Sequence, residues 1–328
     1  MHHLKLYSEK HISKLIAIRN GETKLGQKFQ FVESLEELEK TDARFVIFGI
    51  PEDIGVSANF GNAGTANAWE AFLRAFLNVQ ENEYNSGEEI VLLGEINTAE
   101  LMQKAGNIDV SDPNYVQKLG DLVEQVDVMV SEVVKKVILA GKFPIIIGGG
   151  HNNAFGNLKG AAEASGKTIN VLNIDAHTDL RRLEHRHSGN GFSYALKNGF
   201  LERYSIFGLH KNYTPQYIFD EMNASEAIQY RLLEELPQQE RPGKFRQALD
   251  FVKGEKFGLE LDCDAIANFP SSAASPAGFS IDEVRSYLKI AAKEKNCCYL
   301  HICEAMSATN YPTGKALSYL ATDFLQER

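Results

Sequence analysis

Long apolar runs are absent from this chain of 328 residues, and no stretch approaches the roughly 18 consecutive apolar residues of a membrane span. The opening MHHLKLYSEKHISK has no apolar core of the kind a secretory leader carries, so the cytoplasm is the expected compartment. Cysteine is scarce, at four residues, and no CxxC pair occurs. Cys263, Cys297, Cys298 and Cys303 all sit in apolar runs. That argues against a disulfide framework or a structural zinc and for buried, reduced thiols. Basic clusters are missing too, with 34 Lys and Arg against 44 Asp and Glu, a net charge of −10. A nucleic-acid partner, whose phosphates need neutralising cations, is not expected. No proline-rich linker, composition break or internal repeat divides the chain. One domain over residues 1–328 is expected, with 1–40 as a peripheral N-terminal extension.

What is present is an alternation of short apolar runs and helical spacing. Apolar residues make up 44% of the chain, enough for a sizeable core. Runs at 44–50, 89–93, 143–147, 167–172, 204–209, 256–261 and 297–303 read as strands. Trp69, Phe72, Leu73 and Phe76 share one face of a helix over 65–79. Val116 to Val137 keep the helical period over 113–140, with Asp112 expected as the N-cap and Pro113 in the first turn. Ser280 with Glu283 forms a capping box for a helix running to about Lys295. Strands alternating with helices imply a parallel sheet covered on both faces.

In open sheets of this kind ligands bind beyond the carboxyl ends of the strands. Three clusters of metal-ligating residues fall there: Gly148-Gly149-Gly150-His151, Asp175-Ala176-His177-Thr178-Asp179 and Glu260-Leu261-Asp262-Cys263-Asp264. Side chains two apart in an extended segment share a face, so Asp175, His177 and Asp179 converge if strand geometry persists past residue 174. Taken singly, each cluster has a plainer reading. GGGH could be a tight turn or a phosphate loop, and Asp-x-Asp a solvated strand end or a magnesium site. Taken together, two imidazoles and four carboxylates would repel or be stranded without cations. A carboxylate-rich, thiolate-free set with two imidazoles suits two divalent ions, manganese in preference to magnesium. Two ions roughly 3.5–4 Å apart can share and ionise a water, which favours hydrolysis over redox chemistry.

With these residues in view, the chain from about Arg44 to Thr313 resembles the arginase/agmatinase/formimidoylglutamase family, the ureohydrolases. The resemblance implies a three-layer α/β/α sandwich around a mainly parallel sheet. It also implies two Mn2+ per chain and a small-molecule amidine or guanidine substrate. It implies that His151, Asp175, Asp179 and Asp262 hold one manganese, and Asp175, His177, Asp262 and Asp264 the other, with Asp175 and Asp262 bridging. Asp179 would also orient the attacking hydroxide, and Glu304, at the end of the last strand, would receive the cationic amidine or guanidinium. A simple strand-end salt bridge is the alternative for Glu304. Members of the family are commonly trimers or hexamers.

Within the family, Asp-Ala-His-x-Asp-Leu-Arg followed by Ser-Gly resembles the formimidoylglutamase pattern. Asn190 and Gly191 depart from its Thr-Pro, and the histidine that arginases carry after Ser-Gly-Asn is not matched. The reaction implied is hydrolysis of formimidoylglutamate to glutamate and formamide. Arg181 would then pair with a substrate carboxylate, or else form a salt bridge to a neighbouring helix, and Ser188 and Asn190 would contact substrate. His185, His187 and His210 are candidate proton donors, and Lys211 and Asn212 candidate carboxylate contacts. The competing readings are another guanidino- or amidino-acid hydrolase, a non-catalytic metal-binding protein on the same fold, and a nucleotide-binding α/β protein that uses the glycine turn for phosphate.

Overall fold

Strand residues pointing alternately up and down meet two different apolar layers, and that alternation sets the architecture. The computed structural model describes residues 3–328. Among them nine strands share one sheet: β1 (Leu4–Leu6), β2 (Phe45–Gly49), β3 (Ile90–Ile96), β4 (Phe143–Ile147), β5 (Ile169–Ile174), β6 (Leu201–Leu209), β7 (Ile228–Leu232), β8 (Phe257–Asp262) and β9 (Cys297–Cys303). Their spatial order is β1-β3-β2-β4-β9-β8-β5-β6-β7. Only β1 runs antiparallel to its neighbour; every other pair is parallel.

The helices are α1 (Glu9–Ile12), α2 (Ile54–Ala58), α3 (Ala68–Phe76), α4 (Ala99–Gly106), α5 (Tyr115–Leu139), α6 (Asn153–Ser165), α7 (Gly191–Lys197), α8 (Gln216–Asn223), α9 (Arg241–Val252), α10 (Ile281–Ala292) and α11 (Thr313–Glu327). Phe45, Ile47, Ile145, Ile147 and Leu172 face one layer, built from Trp69 and Phe72 of α3, Phe245 of α9, Tyr287 of α10 and Leu317 of α11. Val46, Phe48, Ile146 and Val171 face the other, built from Val126 and Val130 of α5, Leu158 of α6, Phe192 of α7 and Met222 of α8. Each fully buried isoleucine of β4 contributes roughly 2 kcal/mol, so β-branched runs are held between the two layers as strands. This is the expected α/β/α sandwich. At its edge β1 pairs with β3, and Ile12, Leu25 and Phe29 are buried in the first layer. No helix among the described residues is long and apolar enough to cross a membrane.

Some local expectations give way. The long helix begins at Tyr115 after Asn114, not at an Asp112 cap. Asp112 instead accepts the Asn114 N–H at 2.8 Å, a local turn that precedes the helix. β1 and β7 were not anticipated: β1 has three residues, and β7 at the far edge is only half-buried along its length, so neither shows a clear apolar pattern. What positions the site is the middle of the sheet. β4, β9, β8 and β5 are successive neighbours, so the segments that follow them emerge side by side.

The capping box at α10 is formed as read: Ser280 Oγ accepts the Glu283 N–H at 3.2 Å and Glu283 Oε2 accepts the Ser280 N–H at 2.8 Å. Replacing Ser280 with Ala is expected to cost about 1 kcal/mol. Urea unfolding of the two proteins measures this, and an unchanged midpoint would contradict the cap's contribution.

Candidate metal centre

Two backbone devices bring the site together. In the turn after β4, Gly148 and Gly149 have φ of 93° and 75°, values that glycine adopts without strain. Beneath the turn lies Glu52, fully buried, which accepts hydrogen bonds from five donors. These are the N–H groups of Ile54 (2.8 Å), Gly55 (3.3 Å) and Gly150 (3.0 Å) and the amides of Asn152 (3.2 Å) and Asn153 (2.6 Å). Glu52 thus ties the start of α2 to the turn and aims His151. Strand geometry does not persist through the central motif. β5 ends at Ile174, and Asp179 has φ 48°, a left-handed conformation. The three side chains converge because the chain turns there, not because they alternate along a strand.

The six ligands expected from the sequence fall into two groups that share Asp175. In the first, the ligand atoms of His151, Asp175, Asp179 and Asp262 all lie within 4.8 Å of one another; the second comprises Asp175, His177 and Asp264. His151 Nδ1 is 2.9 Å from Asp179 Oδ2, 3.2 Å from Asp175 Oδ2 and 3.3 Å from Asp262 Oδ2. His177 Nδ1 is 2.8 Å from Asp264 Oδ2 and 3.8 Å from Asp175 Oδ1. Asp262 gathers with the first group only, and its Oδ1 accepts the Asp264 N–H at 2.8 Å. Asp175 therefore belongs to both groups, and Asp262 to the first alone.

This donor set fits divalent cations. His151 is buried and neither ring nitrogen makes a hydrogen bond, although three carboxylate oxygens surround Nδ1. Such geometry places lone pairs around a point and leaves the ring without a partner until a cation fills it. The carboxylates also crowd one another. Burial, with the Asp179 and Asp264 charges, pushes Asp175 up to about 6. Burial with Asp264 and Asp175 drives Asp262 well above the carboxylate range. Burial would raise Asp264 as well, but the His177 imidazole outweighs it and holds this carboxyl low.

An outer layer orients the ligands. Glu260, buried in β8, receives His301 Nδ1 at 2.6 Å and the Tyr299 hydroxyl at 2.8 Å, and lies 3.6 Å from His151 Nε2. Burial alone would raise its carboxyl, but the His301 and His151 rings outweigh that and hold it at about 2. A carboxylate behind a ligating histidine fixes the ring's orientation. Asn173 donates to Asp175 Oδ2 at 2.8 Å and to the Tyr204 hydroxyl at 2.8 Å. Tyr213 stacks on His177 with ring centroids 5.0 Å apart and on His210 at 5.3 Å. Of these supports, Glu260 was legible only as part of its motif. Glu52, His301 and Tyr213 lay outside the three motifs, and only the position of Glu52 just past a strand end could have marked it.

A cleft of about 200 Å³ opens above the ligands and is lined by His177, Asp179, Asp262, Asp264, Glu304, Arg181, Ser188 and Asn59, among others. Glu304 has φ 60°; its Oε1 accepts the His151 N–H at 2.6 Å and its Oε2 the Ser272 hydroxyl. Burial pushes its carboxyl up to about 8. The Arg181 side chain is exposed at the cleft and forms no salt bridge among the described residues, so the helix-pairing alternative is not realised. Ser188 Oγ accepts Asn59 Nδ2 at 3.1 Å. Asn190 is not at the cleft. It is buried, with Oδ1 taken by Arg186 Nη1 (2.5 Å) and the His187 N–H (3.1 Å) and Nδ2 donating to His185 O (2.9 Å). It shapes the loop and has nothing left for a substrate. His185, His187, His210, Lys211 and Asn212 do not line the cleft either, and Lys211 pairs with Glu235 at 2.7 Å. The phosphate-loop reading of GGGH fails as well, because the Gly150 and His151 N–H groups already bind the Glu52 and Glu304 carboxylates.

A sheet with this strand order and a carboxylate–imidazole cluster at its carboxyl end defines a class of metal-dependent α/β protein. Residues 43–327 match the sequence profile of the arginase family, and the chain belongs to that family. A formimidoylglutamase of Chromobacterium violaceum is 28% identical over 248 residues, 72% of this chain and 71% of that one. One from Streptococcus pyogenes is 26% identical over 241 residues, 70% and 67% of the two chains. Among solved structures, the Bacillus subtilis formimidoylglutamase superposes with a TM-score of 0.76 at 16% identity, covering 95% of this chain and 93% of that one. Trypanosoma cruzi formiminoglutamase with Mn2+ superposes at 0.73 and 21% identity, covering 93% and 98%. These superpositions establish the shared fold.

The loop that carries Ser188 has its own pH dependence. His187 Nδ1 accepts the Gly189 N–H at 3.1 Å, which requires that nitrogen to be unprotonated. Burial lowers His187 to about 4. Unfolded histidine takes its proton near pH 6.5, so the unfolded chain binds the extra proton first and stability falls as pH drops from about 6.5 to 4. In thermal melts of the metal-free protein across that window, wild type should lose more Tm than His187→Gln. Equal losses would contradict the assignment.

Proposed function

We propose that this protein hydrolyses a carbon–nitrogen bond of a linear amidine, N-formimidoylglutamate, releasing glutamate and formamide with consumption of one water. The observation that carries the reading is the pair of ligand groups sharing Asp175 at the floor of a cleft whose wall holds Glu304 and Arg181. The names of the two bacterial relatives point to the same substrate, and the trypanosomal structure to the same metal. His151, Asp175, Asp179 and Asp262 would hold one Mn2+, and Asp175, His177 and Asp264, with Asp262, the other. When bound, the two ions would supply Lewis-acid charge and an activated water.

The chain's own residues account for binding and orientation. Glu304 is a buried carboxylate at the cleft, already fixed by Ser272 and the His151 N–H. A planar amidinium can donate to its remaining lone pairs, and its positive charge would favour the ionised carboxylate that burial alone disfavours. Asp179, on the same cleft and held in a left-handed turn, is placed to accept a proton or a hydrogen bond from the attacking water. Towards the mouth, Arg181 offers an unpaired guanidinium fork beside Ser188 and Asn59, which suits the carboxylates of a glutamyl substrate. A dication without carboxylates, such as agmatine, would meet that arginine as a like charge.

Manganese-loaded protein should therefore release formamide from formimidoylglutamate, and chelation should abolish the activity. Arg181→Ala removes a charge-assisted contact of about 1.5–3 kcal/mol, so KM should rise roughly ten- to hundredfold with a smaller change in kcat. Urea from arginine or agmatine without formamide would overturn the substrate. Bound metal without turnover of any amidine or guanidine would point instead to a binding protein.

A further inference from the structure

The opposite end of the sheet holds a second cavity, of about 690 Å³, where β2, β4, β9, β8 and β5 begin. Arg44, Lys142, Lys256, Lys295 and Arg328 line it, against a single acid, Asp42. In a chain of net charge −10, this is a local inversion of sign. Arg44 is compensated, lying 3.3 Å from Glu89 Oε1 and donating to Arg328 O at 2.9 Å. Lys142 and Arg328 are anchored by carbonyl oxygens: Lys142 donates to Thr41 O at 2.7 Å, Arg328 to Glu294 O and Cys297 O, each at 2.7 Å. Carbonyls satisfy those donors without cancelling their charge. Lys256 and Lys295 are exposed, and their side chains make neither a hydrogen bond nor an ion pair among the described residues. Phe45, Phe143 and Ile169 form an apolar floor, which lowers the local dielectric and strengthens the field above it.

Helix dipoles explain part of this arrangement. Lys142, Lys256 and Lys295 follow the carboxyl ends of α5, α9 and α10, where a cation is favoured within the last turn. That rule places a cation near each helix end; it does not turn several of them onto one concave surface without acids between them. Uncompensated like charges around a hollow call for an anion. We propose that this cavity binds a compact oxyanion of charge −2 or more, a phosphate or a dicarboxylate. The five-residue β4 separates it from the turn that bears His151 by roughly 16 Å, so the two sites are distinct.

Isothermal titration of the manganese-loaded full chain with inorganic phosphate and, separately, with succinate tests the proposal. One or both probes should bind, and the stronger of the two distinguishes a phosphoryl from a carboxylate ligand. In Lys256→Glu combined with Lys295→Glu, the affinity should fall roughly tenfold or more, the loss expected of two charge-assisted contacts. Manganese content should stay unchanged. Should charge reversal unfold the protein, the Lys256→Gln, Lys295→Gln pair supports the same comparison. If neither probe binds, the proposal is overturned. It is overturned too by binding undiminished in the variants, which would assign the anion to the metal centre.

Discussion

Four buried aspartates gathered with the buried His151 and the half-buried His177 at the end of a sheet are the constraint on which the rest of this structure depends. Left to themselves, Asp175, Asp179, Asp262 and Asp264 would repel strongly in a site that excludes water, as the upward shifts of Asp175 and Asp262 record. Burying unpaired charge is among the most expensive things a fold can do. A pair of divalent cations would relieve the repulsion, supply His151 with the partner it otherwise lacks, and convert a destabilising cluster into a reactive one.

The surrounding structure keeps that cluster assembled. Glu52 grips the glycine turn below His151, and Glu260, itself held by His301 and Tyr299, stands behind the same imidazole. Glu304 joins the turn after β4 to the end of β9 through the His151 N–H. Among the described residues four non-glycine positions have positive φ, and two of them, Asp179 and Glu304, are at the cleft. Strain is held where chemistry is proposed, and the packed sheet on either side is what over-determines it.

Much of this was legible in the residues. The buried strands β4, β5, β8 and β9 announce themselves as short apolar runs, and the ligand motifs stand at the carboxyl ends of three of them. The half-buried β7 and the three-residue β1 carry no such pattern, and tertiary context alone defines them. At the site, residue types and strand ends identified the ligands, but the geometry came from a left-handed turn at Asp179 that no periodicity reveals. Asn190 illustrates the other limit. Its place beside Ser188 suggested a substrate contact, yet the buried Arg186, paired with Asp127 at 2.9 Å, claims its side chain. Arg186 is only four positions from Asn190, but the Asp127 that holds it there is 59 positions further away along the chain and invisible to local reading.

The central claim is that two ions share Asp175 between the ends of three parallel strands. Anomalous scattering at the manganese edge from crystals grown with Mn2+ tests it most directly. Two peaks should appear roughly 3.5–4 Å apart, one among His151, Asp175, Asp179 and Asp262 and the other beside His177 and Asp264. A single peak, no peak, or peaks remote from Asp175 would contradict the account.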